Sequence, residues 1–232
     1  MSPVLLADRL DSLYLTNPGG GLTAINQWDG GTVPRFHLTR SPYDNHWRFG
    51  AGLADPVVRE LEQLCRMEPI PTDLRDNPKL ADRALALLGL RTPDDAHWRG
   101  PVYAFPDGIA IDPATEVIPI VTENAGLLET LLPQWLADVP HRQPFFAALR
   151  GSDAVAVCAS VRIGNRVHEA GVETHPAYRN QGLAQCVVGA WAKAVRQRGA
   201  EPVYSTSWQN TASQAVARGL GLMLIAEDFR ID

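Results

Sequence analysis

The stretch that decides the reading is Val172-Glu173-Thr174-His175-Pro176-Ala177-Tyr178-Arg179-Asn180-Gln181-Gly182-Leu183-Ala184. Before it, Arg166–Thr174 has strand character. After it, Gly182–Arg198 carries a helical period, with Leu183, Val187, Val188, Trp191, Ala194 and Val195 on one face. The joint is a strand, a short loop holding Arg179-x-x-Gly182-x-Ala184, and a helix that starts at once. A helix N-terminus leaves about four backbone N–H groups without intrahelical partners. Its dipole adds about half a positive charge at the same end. Gly182 and the small Ala184 let the backbone come close to a phosphate, and Arg179 adds a full positive charge beside it. The predicted chemistry is a seat for a pyrophosphate-bearing ligand. A Gly-x-Ala at a helix start also occurs in ordinary strand–loop–helix joints, so the neighbouring elements must decide. Two other phosphate loops are excluded: no GxxxxGK[ST] occurs, and no GxGxxG stands at a strand–helix joint.

Working outward, Phe145–Arg150, Ala154–Arg162 and Arg166–Thr174 are three strand-like runs. Gly151-Ser152-Asp153 and Gly164-Asn165 divide them, and both suit hairpin turns. The three runs predict an antiparallel meander, which fits poorly with the βαβ units of a nucleotide-binding α/β domain. Upstream, Val117–Val121 reads as a strand and Thr122–Leu131 as a helix that Pro133 ends or bends. Downstream come a strand at Pro202–Trp208, a short helix at Thr211–Gly219 and a last strand at Leu222–Ile231.

This order, with Val172-Glu173-Thr174 just before the loop, resembles the GCN5-related N-acetyltransferase (GNAT) superfamily over about residues 117–232. The family's loop pattern is Arg/Gln-x-x-Gly-x-Gly/Ala, matched by Arg179, Gly182 and Ala184. Asn210 and Leu220-Gly221-Leu222 resemble its later Asn-x-x-Ala…Leu-Gly-Phe segment. The resemblance implies an α+β fold: a mixed, mostly antiparallel sheet flanked by helices, here with an N-terminal α/β extension. It implies acetyl-CoA as co-substrate, no metal, and transfer of the acetyl group to an amine on a small molecule or peptide. It also implies that the family's fourth strand splays from the fifth, with the pantetheine arm in the gap. The cofactor residues it implies are Val172, Glu173, Thr174, Arg179, Asn180, Gln181, Gly182, Leu183, Ala184, Asn210 and Ser213. The alternative is a GNAT-like module that holds acyl-CoA without turnover. A departure favours that alternative: the family's usual acid, a Tyr in the last helix, falls at Ala217. Tyr204, Ser207 or Ser213 could replace it, or the thiolate could leave unaided.

An amine nucleophile must lose a proton near pH 7, so a positioned base is expected. Strand alternation puts His168, Ala170, Val172 and Thr174 on one face and Glu169, Gly171 and Glu173 on the other. His168 lies four residues before Val172, where several GNAT enzymes place a catalytic Glu. A bulge would shift the alternation, so Glu169 and Glu173 stay open as candidates.

Residues 1–115 are expected to form an N-terminal domain of unknown role, and 116–232 the acyl-CoA domain. In the first part, Asp8–Thr16, Gly21–Trp28 and Arg35–Arg40 read as strands. Pro56–Met67 reads as a helix capped by Asp55, and Pro78–Leu88 as a helix capped by Asn77 and ended by Gly89. Arg91–Ile118 reads as a connector with a short strand near Val102–Phe105. Scattered Trp28, Tyr43, His46, Trp47, His97 and Trp98 show no metal spacing; they suit packing, or the floor of an acceptor pocket. Net charge is −5, but residues 1–150 hold 19 acidic and 13 basic side chains whereas 151–232 hold 7 and 8. The later part can therefore receive a polyanion without strong repulsion. Neither part has the basic stripe of a nucleic-acid binder. No apolar run reaches membrane-spanning length. The three cysteines, Cys65, Cys158 and Cys186, form no CxxC pair. The expectations are a cytoplasmic protein without nucleic-acid or membrane partners, with a homodimer open.

Overall fold

The computed structural model describes residues 3–90, 97–109 and 115–232. In chain order the elements are α1 (Pro3–Leu13), β1 (Tyr14–Thr16), β2 (Leu22–Ile25), β3 (Phe36–Arg40), β4 (Asn45–Phe49), α2 (Asp55–Met67), α3 (Ala81–Leu87), β5 (His97–Ala104), β6 (Val117–Pro119), β7 (Phe145–Arg150), β8 (Asp153–Ile163), β9 (Val167–Thr174), α4 (Leu183–Gln197), β10 (Glu201–Ser205), α5 (Thr211–Gly219) and β11 (Met223–Ile231). Short 3-10 helices occupy Thr122–Leu128, Pro133–Asp138 and Pro176–Tyr178. The fold is mixed α+β, with mostly antiparallel strands flanked by helices. Backbone contacts group it into two compact units. One is Met1–Val102, Ser205–Asn210 and Leu224–Asp232; the other is Tyr103–Tyr204 and Thr211–Met223.

In the first unit the strand order is β4-β3-β11-β5. β3 and β4 form a hairpin, and β11 runs antiparallel to β3 from Glu227↔Arg40 to Ile231↔Phe36. α2 and α3 bury Leu61, Cys65, Ala84 and Leu85 against Phe36, Leu38, Phe229 and Ile231. α1 corrects the strand expected at Asp8–Thr16: only Tyr14–Thr16 is extended. Leu6 and Leu10 are buried one helical turn apart, and Arg9 is buried beside them because its guanidinium grips Asp228 with contacts of 3.0 and 2.8 Å. An inward-facing arginine hides the helical period.

The helix expected at Pro78–Leu88 starts later, at Ala81. Its cap is neither Asn77 nor another local residue: the Glu68 carboxylate accepts the Lys79 and Leu80 N–H groups at 2.9 and 2.8 Å. α2 has Ala54 at its N-cap, with no side-chain bond, and Asp55 is already helical. Of the connector expected at Arg91–Ile118, residues 91–96 and 110–114 lie outside the described residues, and β5 is longer than expected.

In the second unit the strand order is β10-β9-β8-β7-β6. The expected meander is present, with antiparallel registers Phe145↔Ala159 and Cys158↔Val172. Alternate residues feed two layers. Ala148, Ala156 and Cys158 join Leu183, Val187, Val188 and Trp191 of α4. Ala147, Val157 and Ala159 join Leu128 and Trp135 of the 3-10 segments. Trp191 is fully buried, so its truncation to Ala would cost about 3–5 kcal/mol.

Candidate active site at the β9–β10 split

β9 and β10 run parallel, but their register holds for three pairs only: Glu201↔Val167, Pro202↔His168 and Val203↔Glu169. On its other side β9 stays paired with β8 through Ala156↔Thr174. Ala170–Thr174 are half-buried. Beyond Glu169 the edge of β9 toward β10 therefore has no β10 partner among the described residues, and a ligand could bond its backbone there.

The loop after Thr174 turns through two left-handed residues, Asn180 (φ 61°) and Gly182 (φ 75°). Asparagine tolerates this region and glycine adopts it at no steric cost. Gly182 is the N-cap of α4, and no side chain caps the helix. Arg179, Asn180, Gln181 and Gly182 are exposed. The first amides of α4 thus open outward, as a phosphate seat requires. Leu183 is buried and anchors the helix start, while Ala184 is half-buried. Arg179 Nε folds back to donate to the Thr174 carbonyl at 3.3 Å. Two buried polar atoms at the joint, Thr174 Oγ1 and His175 Nδ1, have no hydrogen-bond partner among the described residues.

The three candidate bases sit in different settings. His168 is buried; its Nδ1 lies 2.9 Å from Ser160 Oγ, which accepts the Trp191 Nε1–H at 3.0 Å. Burial, helped by the Arg198 charge, pulls the His168 pKa below the usual histidine value. Glu169 is buried at the last paired position. Glu173 is half-buried, and its carboxylate accepts Gln134 Nε2–H at 2.9 Å and Trp135 Nε1–H at 2.7 Å. A bulge does occur, but it lies in β8, between Ser160 and Arg162. The alternation of β9 survives it, so His168 meets the α4 layer and Glu173 the layer of Trp135. Gln134 and Trp135 were not legible as site residues, since a short 3-10 segment has no period; the aromatic after Pro133 is the only trace.

Tyr204, the first β10 residue past the paired stretch, has its hydroxyl 2.6 Å from Ser213 Oγ of α5. Burial pushes its pKa up to about 12, so it keeps its proton. Ala217 is fully buried in the α4 core layer and carries no proton to give. Val172 is half-buried and packs against that layer. Asn210 is exposed, and its N–H bonds Ser207 Oγ at 3.1 Å. Among the described residues no group of His, Cys, Asp and Glu is placed to hold a metal, and no helix is long and apolar enough to cross a membrane.

A meander whose last strand splits from a parallel neighbour, beside an uncapped helix start, is the arrangement expected of an acyl-CoA-type transferase fold. Residues 145–227 match the family model described as GNAT acetyltransferase. That segment carries a GNAT acetyltransferase domain. A GNAT-family acetyltransferase from Colwellia psychrerythraea superposes with a TM-score of 0.50 at 15% identity, over 81% of this chain and 76% of that one. A Drosophila protein superposes with a TM-score of 0.51 at 12% identity, over 86% and 75%. At these identities the likeness is one of fold. No curated protein matches the chain.

Proposed function

We propose that this protein is an N-acetyltransferase that moves the acetyl group of acetyl-CoA to an amine. The observation that carries the reading is the split after Val203, which leaves the Ala170–Thr174 edge open beside the exposed, uncapped start of α4. Residues 116–232 would then supply the acyl-CoA domain. The amides of Gly182, Leu183 and Ala184, with Asn180 and Gln181 shaping the turn, would hold the pyrophosphate. Arg179 would swing from the Thr174 carbonyl to meet it. The open edge at Val172 and Thr174 would take the pantetheine arm, with Asn210 and Ser213 as further contacts.

In the reaction the amine nitrogen attacks the thioester carbonyl carbon, a C–N bond forms, and the C–S bond breaks. A backbone N–H near Val172 would hold the tetrahedral oxyanion. We assign proton removal from the amine to Glu173. His168 and Glu169 are buried, whereas Glu173 combines partial exposure with a carboxylate fixed by two N–H donors. The thiolate would leave unaided, since Ala217 has no proton to give and burial holds the proton on Tyr204.

A second reading, an acyl-CoA-binding module without turnover, is favoured by one observation, the burial of Ala217 at the usual acid position. Calorimetry with acetyl-CoA and release of free thiol with a panel of amines separate the two. Binding with amine-dependent thiol release supports the enzyme. Binding without release from any amine supports the module, and no binding removes both.

A further inference from the structure

The first unit holds a cavity of about 590 Å³ that the acetyl-transfer reading does not use. Arg75, Asn77, Trp98, Arg99 and Trp208 line it, with His97 at its wall. Its frame is rigid. The Ser205–Asn210 segment lies against β5 through Thr206 N–H to Pro101 O and Trp208 N–H to Arg99 O, both 3.2 Å. This approach needs Gly100, since a Cβ there would stand 1.8 Å from the Thr206 carbonyl oxygen. Arg99 spends its donors on the frame: Nε bonds Glu227 at 2.6 Å, another nitrogen bonds the Arg75 and Asp76 carbonyls at 3.0 and 2.7 Å, and a third bonds Asn77 Oδ1. Trp208 Nε1–H also bonds Glu227 at 3.1 Å, which fixes the plane of the indole.

Arg40 and Arg99 face Glu227 and Glu68, two cations for two anions. Arg75 makes no ion pair among the described residues. Its guanidinium lies 5.0 Å over the Trp208 ring and its side chain is exposed. Stacking holds the guanidinium flat and leaves the N–H groups at its edge available, a fork that matches a carboxylate. Trp98 is fixed on its other side by Arg230, 4.7 Å from its ring centroid.

We infer that this cavity binds a small monoanion, a carboxylate on a planar or apolar body, with Arg75 taking the carboxylate and Trp98 and Trp208 flanking the body. The stacked Arg75 guanidinium offers a fork for one carboxylate, and the two indoles favour an apolar carrier over a bare ion. The site does not depend on acetyl transfer.

The test uses the full chain, with benzoate, benzamide and inorganic phosphate as probes, followed by calorimetry and by tryptophan fluorescence. Benzoate should bind saturably. Benzamide should bind at least roughly tenfold more weakly, as should benzoate to Arg75→Ala, since a charge-assisted bond is lost in each case. Arg75→Ala should leave Tm and acetyl-CoA affinity unchanged, which keeps this result apart from that of the transferase. Absence of saturable benzoate binding, equal affinity for benzamide, an unaffected Arg75→Ala variant, or tighter binding of phosphate than of benzoate would each overturn the inference.

Discussion

Glu173 and His168 stand five residues apart on β9 and have opposite environments. Glu173 is half-open and its carboxylate is gripped by Gln134 and Trp135. Glu173→Gln should lower kcat by about 10²–10⁴-fold while acetyl-CoA affinity holds, the range for a lost general base; steady-state kinetics beside calorimetry reads this. His168 is packed against Ser160 and the α4 layer, and its effect should fall on stability. Its folded pKa lies below the ordinary value, so as pH falls beneath about 6.5 the unfolded chain takes up the proton first. Stability is therefore lost as pH drops from there through the folded value. His168→Gln should flatten that slope between pH 7.5 and 5.5 in denaturant melts. A collapse of kcat in His168→Gln, with Glu173→Gln active, would reverse the assignment.

At the level of elements, the start of α4 and the β5 frame depend on two glycines for different reasons. Gly182 has open space around it, and its left-handed backbone is what matters. Gly182→Asn keeps that conformation accessible and should retain acetyl-CoA binding. Gly182→Glu adds bulk and a negative charge at the start of α4, where the proposal puts the pyrophosphate, and should abolish that binding; calorimetry on folded protein decides. Gly100 is bound by close approach instead, so Gly100→Ala should cost about 1–3 kcal/mol in denaturant unfolding, as for an overpacked site. The meander and α4 were legible because turn residues such as Gly151-Ser152-Asp153 bracket alternating runs, and because α4 keeps an unbroken apolar stripe. The strand–loop–helix joint from β9 to α4 was legible for the same reason, as one contiguous stretch. α1 was not, since Arg9 breaks its stripe for a partner in β11. The cap of α3 was not, since Glu68 supplies it from just past the end of α2. The grip on Glu173 was not, since its donors lie 38 and 39 residues away.

Across the whole chain, the ion pair of Arg9 with Asp228 joins positions 219 residues apart. Thr39 Oγ1 donates to the same carboxylate at 2.7 Å, and His37 Nε2 lies 3.2 Å from it. Burial alone would raise the Asp228 pKa, but Arg9 and His37 outweigh it and hold the carboxyl well below its ordinary value. The stability this group contributes is complete above about pH 4 and declines as pH falls toward the folded value. Asp228→Asn strands a buried guanidinium and should cost about 3–5 kcal/mol at neutral pH; urea unfolding at pH 7 and pH 3 should show the loss shrinking in acid.

The first unit takes its strand β11 from the far end of the chain, and with it Phe229 and Ile231 of the α2–α3 core. A piece of this protein beginning at residue 116 would carry that strand without either neighbour, β3 or β5, leaving both hydrogen-bonding edges and two large apolar side chains bare to the solvent. Such an edge is a template for sticking to other chains. The segment from residue 116 is therefore not a cassette that can be lifted out by a single cut, and anyone exchanging it between relatives must move the last strand together with β3, β5 and the α2–α3 layer it packs against.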